Sequence, residues 1–180
     1  MLKFHILPER PEDEPDIEPL LDRSFGLERT RKTVYRLREG VAPDPDLCFV
    51  AVDDDGRTLA SLRFWPIRVE DSPAILLGPL AVEPRIQGHG IGRALVLHAL
   101  DAARRQGRRI CVVVGEPEYY SLYGFVPATP MGLVLPGPVE PRRFQVLELA
   151  TGALDGVRGL IQRAENHAGN RAQDSRTQQA

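Results

Sequence analysis

The 180-residue chain is short of several things at once. It holds two cysteines, Cys48 and Cys111, too few for a disulfide framework or a cysteine-rich zinc site. Each stands in an apolar, strand-like run, so both read as buried free thiols, which suits a reducing cytoplasm. Long hydrophobic runs are missing: nothing approaches the roughly 18 consecutive apolar residues of a membrane-spanning helix. The apolar stretch at the N-terminus is cut short by Pro8 and Glu9, so no secretory signal is expected. A charge excess of one sign is missing too. Lys+Arg number 23 and Asp+Glu 25, a formal net charge of -2 that speaks against a nucleic-acid partner. The histidines are scattered, with no metal-ligand spacing, and no metal is expected. No internal repeat is visible. The chain is not starved of core-forming residues, however: 42% are hydrophobic and 27% charged, which excludes wholesale disorder. The expectation is a cytoplasmic protein without a membrane partner.

What is there reads as one domain over residues 1–160, with a polar tail over 161–180 expected to be frayed or disordered. A short strand over residues 2–7 is followed by a helix carrying Ile17, Leu20, Leu21 and Phe25 at helical spacing, with Asp13 or Asp16 as its cap. A second helix is expected over residues 28–39, closed by Gly40. The period then changes to strands over 47–52, 58–69 and 74–82, with a Gly56 hairpin turn between the first two. The clearest helix spans 91–105, with Ile91, Ala94, Leu95, Ala99 and Ala102 on one face. A β-branched strand over 109–114, a short helix over 119–123 and strands over 131–135 and 144–149 complete the order. This is a mixed sheet with one strand–loop–helix–strand crossover, expected to be parallel and right-handed.

The chemistry concentrates in that crossover. Between Val82 and the helix lies Glu83-Pro84-Arg85-Ile86-Gln87-Gly88-His89-Gly90-Ile91-Gly92-Arg93, three glycines in five residues. Glycines let the backbone approach a ligand closely, and a helix N-terminus offers free amides and a partial positive charge. Together they suit a phosphate. A Walker A loop would need Lys-Ser/Thr after its last glycine, and Gly92-Arg93-Ala94 fails that test. A dinucleotide fingerprint would need a third glycine where Arg93 or Leu95 stands. Glu116 sits where the ribose-binding acid of that fold would, yet the repeated βαβ units are missing.

A coenzyme A pyrophosphate site remains, and here the sequence resembles a known family. Gln87-x-x-Gly90-x-Gly92 matches the Q/R-x-x-G-x-G/A signature of the GNAT N-acetyltransferases. The stretch from Val114 to Phe125, with Gly115-Glu116-Pro117 and Tyr120-x-x-x-Gly124-Phe125, resembles the strand-5 and helix-4 segment of the same family. Gly152-Ala153-Leu154-Asp155-Gly156-Val157 is similar to a bacterial subgroup of it. The resemblance implies a single GNAT-like α/β (α+β) domain, a mixed and mostly antiparallel twisted sheet of about seven strands with about four helices. It implies an acyl-CoA-dependent N-acetyltransferase using acetyl-CoA as co-substrate, with an unidentified amine as acceptor. Two copies pairing through the last strands would be compatible with it.

By the same resemblance, Leu80, Ala81 and Val82 would pair with the pantetheine arm. The amides of Gln87, Gly88, His89, Gly90, Ile91, Gly92 and Arg93 would hold the pyrophosphate. Tyr120, the tyrosine of Y-x-x-x-G-F, would be the general acid; a phenol, with its pKa of about 10, is protonated at neutral pH and able to donate. Tyr123 is its nearest competitor and a candidate wall of the coenzyme site. Glu83 and Glu116, each just past a strand end, are candidate bases. An amide near Ala81 is the expected oxyanion donor. For Trp65 two roles stay open, an acceptor-pocket wall and plain packing. No paired Cys or Ser nucleophile is visible, which agrees with direct transfer. Two rival readings are a non-catalytic acyl-CoA sensor and a dinucleotide-binding domain.

Overall fold

The computed structural model describes residues 2–164. The chain forms β1 (His5–Pro8), α1 (Glu14–Phe25), α2 (Thr33–Arg36), β2 (Cys48–Val52), β3 (Thr58–Val69), β4 (Ser72–Val82), α3 (Ile91–Arg105), β5 (Ile110–Val114), α4 (Pro117–Tyr120), β6 (Val126–Pro127), β7 (Leu133–Val134), β8 (Phe144–Glu148) and β9 (Gly159–Arg163), with short 3-10 turns between. The main sheet runs β1-β2-β3-β4-β5-β8-β6. Its neighbours are antiparallel except β4 and β5, which α3 connects as the expected parallel crossover. Among the described residues no helix is long and apolar enough to cross a membrane.

β2 shows why the sheet is covered on both faces. All five of its residues are buried, and alternate ones belong to different cores. Phe49 and Ala51 pack with Leu95, Ala99 and Ala103 of α3, whereas Val50 and Val52 pack with Ile17, Leu20 and Leu21 of α1. A third apolar cluster covers the other half of the sheet and joins β3, β5 and β8 to the C-terminal turns through Val69, Val112, Val146 and Leu154.

Three sequence expectations change. The helix expected over 28–39 is a 3-10 turn (Leu27–Arg31), an extended Lys32, and the single-turn α2. Neither piece buries a residue, and of the whole segment Val34 and Leu37 reach the apolar cluster, too short a stripe to hold a helix of that length. Phe25 is 39% exposed and faces a cavity rather than the core. The tail begins later than expected. Residues 159–163 form β9, which pairs with β3 at Ile67–Val69 and with β7, and buries Ile161 completely. One isoleucine and two flanking strand edges order a segment too polar to be read as a strand. The rest of the expected tail, from residue 165, lies outside the described residues.

One irregularity positions the site. Leu62 faces Leu80 and Phe64 faces Leu77, so Arg63 alone stands opposite Gly78 and Pro79. This bulge bends β4 midway along its length. β4 then pairs with β5 only at Ile75–Cys111 and Leu76–Val112, and beyond these two pairs the strands part.

Candidate active site

The parting strands open a cavity of about 740 Å³. Leu77, Gly78, Pro79 and Leu80 of β4 line one side, and Val113, Val114 and Gly115 the other. Gln87, Glu116, Tyr119 and Tyr120 border it, and Phe25, Arg29, Tyr35 and Arg38 close the end toward α1 and α2.

The strand pairing decides which backbone groups face this space. The Glu83 amide donates to the Leu59 carbonyl at 2.8 Å, and Ser61 pairs with Ala81. An antiparallel ladder alternates, so the Ala81 amide and carbonyl face β3 as those of Glu83 do. Those of Leu80 and Val82 face the open side. The oxyanion donor expected near Ala81 is therefore turned into the sheet, and the neighbouring amides of Leu80 and Val82 are the ones presented. The Val82 carbonyl accepts from Gln87 Nε2 at 3.2 Å, so the signature glutamine ties the loop to the strand end.

Past the loop, α3 begins with Gly90 in the left-handed region at φ 83° and no side chain capping it. The amides of Ile91, Gly92 and Arg93, the first three of the helix, thus lack intrahelical partners. Side chains placed on Gly88 or Gly90 would meet nothing within 4 Å, so the loop backbone is bare toward solvent. Gly92 differs: a Cβ there would lie 3.2 Å from both Tyr119 Oη and Val82 Cγ2. The His89 ring turns back onto its own loop, with Nδ1 3.0 Å from the Ile86 carbonyl oxygen and 3.2 Å from that of Gln87. It braces the loop.

The tyrosines form one T-shaped cluster with Phe125. Tyr120 is 8% exposed and borders the cavity, its ring lying over Gly115 so closely that any Cβ there would overlap it. Burial pushes the phenols of Tyr119 and Tyr120 well above the ordinary range, which keeps both hydroxyls protonated. Tyr123, the expected competitor, packs into the core and is not among the cavity's lining residues; Tyr119 is. The first turn of α4 aims Tyr119 at the start of α3, and its chain neighbour Tyr120 at the strand gap.

The two glutamates separate. Glu83 accepts from Arg23 Nη2 at 2.9 Å and does not line the cavity. Glu116 does, 3.4 Å from Arg143 and 3.5 Å from Arg142. Its backbone caps α4, with its carbonyl accepting from Tyr119 and Tyr120, but its side chain does not. Among the described residues no group of three or more His, Cys, Asp or Glu stands together as metal ligands would.

Sequence reasoning missed Arg38. It is 9% exposed, borders the cavity, and lies over the rings of Tyr35 and Trp65, with Cζ 4.7 and 5.5 Å from their centroids. No motif marks it; only the fold brings α2 beside the β4 bulge.

Residues 14–123 match the sequence profile of the acetyltransferase (GNAT) family. Over 160 residues, 88% of this chain and 95% of the relative, the sequence is 38% identical to the uncharacterized N-acetyltransferase YhbS of Escherichia coli K12. It is 31% identical to a second such protein of that organism, YjhQ, over 76% of each chain. The crystal structure of E. coli YhbS in complex with CoA superposes with a TM-score of 0.79 at 36% identity, covering 92% of both chains. A GNAT-family acetyltransferase from Brucella melitensis in complex with acetyl-CoA gives a TM-score of 0.67 at 26% identity, covering 91% of this chain and 97% of that one.

Proposed function

The chain belongs to the acetyltransferase (GNAT) family, and from that premise we propose that it moves an acetyl group from acetyl-CoA to an amine by direct attack on the thioester. One observation carries the reading: the unpaired edge of β4 leads, through a short turn and the glycine loop, to the uncapped N-terminus of α3. A strand edge suits an amide-bearing arm, and three free amides at a helix start suit a pyrophosphate.

In this reading Leu80 and Val82 pair with the pantetheine arm, while Ala81 shapes the strand from the β3 side. The pyrophosphate rests on the amides from Gln87 to Arg93, including those of Gly88, His89, Gly90, Ile91 and Gly92. The thioester then lies in the strand gap beside Tyr120. An amide of Leu80 or Val82 meets the oxygen that becomes negative as the amine attacks. Tyr120 donates its proton to the departing thiolate. Glu116, rather than Glu83, takes the ammonium proton, because Glu116 borders the cavity and Glu83 does not. The amine, the thioester carbon and the departing sulfur need no covalent enzyme intermediate, and both thiols are buried away from the cavity.

Calorimetric titration with acetyl-CoA, beside parallel titrations with CoA and NAD, tests the coenzyme site. Micromolar binding of the acyl donor without NAD binding is expected. Failure to bind acetyl-CoA would sink the transferase reading, and binding without any amine-dependent thiol release would favour a sensing module.

A further inference from the structure

The acceptor end of the cavity is cationic in a particular way. Arg38 is nine-tenths buried, yet its Nε has no hydrogen-bond partner and no carboxylate among the described residues forms an ion pair with it. The nearby acids are committed elsewhere: Glu18 and Asp22 of α1 to Arg29, and Glu9 and Glu14 to Arg63. Desolvation, and after it those two arginines, work against the charge on Arg38 while Tyr35 supports it; its pKa is lowered to about 10, so it stays cationic at neutral pH. The guanidinium is held in place all the same, stacked on Tyr35 and Trp65. Trp65 is itself fixed by donating Nε1–H to the Gly78 carbonyl at 2.7 Å. Room for the guanidinium comes from Gly78, where a Cβ would stand 3.1 Å from Arg38 Nη2. A planar donor fork, rigid, buried and without a counter-ion, is what binds a carboxylate.

We propose that Arg38 is the carboxylate-recognition residue of the acceptor site, and that the acceptor is a compact amine bearing a carboxylate, an amino-acid-like molecule. This rests on the transferase reading. The coenzyme's own phosphates do not explain Arg38: Gly78 lies four residues before Val82, about 13 Å along β4 from the α3 end. A polycationic acceptor would add charge where charge is already unbalanced. The carboxylate would sit against Arg38 and the amine would reach toward Glu116 and the thioester, since all border one cavity.

The test uses matched sets, each an amino acid, its amide and its decarboxylated amine, with apolar, polar and charged side chains. Binding to the CoA-loaded protein is followed by the fluorescence of Trp65, the chain's one tryptophan, and turnover by thiol release. The acid of at least one set is expected to bind and turn over about 10- to 100-fold better than its amide or amine. Arg38→Met should remove that preference and leave acetyl-CoA affinity unchanged. It should also hold or raise Tm, because a buried charge is replaced by an apolar stem of similar length. Arg38→Lys, which keeps the charge and loses the fork, should recover part of the preference. Equal binding of acid and amide, binding by no acid, or a loss of acetyl-CoA affinity in Arg38→Met would each overturn the assignment. Failure of the wild type to bind acetyl-CoA would instead strike the transferase reading beneath it.

Discussion

Tyr120 and the two cysteines carry the residue-scale chemistry, and each is governed by burial. The Tyr120 hydroxyl is kept protonated by desolvation, so its use is to donate, and its loss should be felt in the chemical step alone. Tyr120→Phe is expected to lower kcat about 100-fold or more with acetyl-CoA affinity unchanged, whereas Tyr123→Phe, a core change, should lower kcat less than tenfold. Steady-state kinetics beside calorimetry separates the two; equal kcat in wild type and Tyr120→Phe would remove the tyrosine from the mechanism. The thiols are pushed the same way. Burial raises Cys48 from its ordinary 9.0 to about 12, and Cys111 further. Both should therefore resist a thiol reagent at pH 8 in the native protein and react fully only in denaturant. The linkage has a definite sign. An unfolded thiol ionises near pH 9 while the folded one holds its proton, so this contribution to stability is complete below pH 9 and lost as pH climbs toward 12. Tm measured from pH 8 to 10 should fall above 9, and fall less steeply in Cys48→Ala. A Tm flat across that range would refute the shift.

At the scale of elements, the site depends on how closely α3, α4 and the end of β4 approach one another. Gly92 is the contact point, with Tyr119 Oη and Val82 Cγ2 each 3.2 Å from where a Cβ would stand. Neither neighbour is free to yield: Val82 belongs to a paired strand and Tyr119 to the aromatic cluster. Gly92→Ala should thus push the first turn of α3 away from β4 and weaken acetyl-CoA binding about tenfold, at a folding cost of about 1–3 kcal/mol. Gly90→Ala meets no neighbour but forces a left-handed φ on alanine, so it should cost about 1 kcal/mol through the backbone alone. Calorimetry and thermal melts on the pair distinguish the two causes. Equal coenzyme affinity in Gly92→Ala and wild type would mean that this approach does not shape the loop. The elements that make this contact were legible in the sequence because their signals are local. A glycine-rich loop, an amphipathic stripe from Ile91 to Ala102 and a β-branched run after it each announce one element. The segment over 28–39 is dominated by charged residues, and only Val34 and Leu37 near its end reach the apolar cluster, so its helical look lacked a stripe long enough to enforce it.

For the whole molecule, what stayed illegible is what only tertiary contact decides. Arg38 has no local signature, and its meaning comes from the bulge at Gly78, from Trp65 on the next strand and from acids already engaged by Arg29 and Arg63. The alternation that turns Ala81 into the sheet likewise depends on which β3 residue it meets. β9 is the third case. Five residues with one fully buried hydrophobe, Ile161, become a strand because β3 extends beyond its partner β2 and offers the free edge of Ile67–Val69. That edge lies at the opposite end of β3 from the pairs that set the coenzyme strand, Leu62–Leu80 and Ala60–Val82. Stability and coenzyme binding should therefore come apart. Ile161 is fully buried against Val69 and its neighbours, so Ile161→Ala removes a well-packed core side chain and should cost about 2–5 kcal/mol. For a chain of this size that is a Tm lowered by about 5–15 °C. Acetyl-CoA affinity, measured well below the melt, should equal that of the wild type. A drop of less than about 2 °C would mean that β9 merely lies on the sheet, and a parallel loss of coenzyme affinity would mean that the far end of β3 holds the β4 bulge in shape.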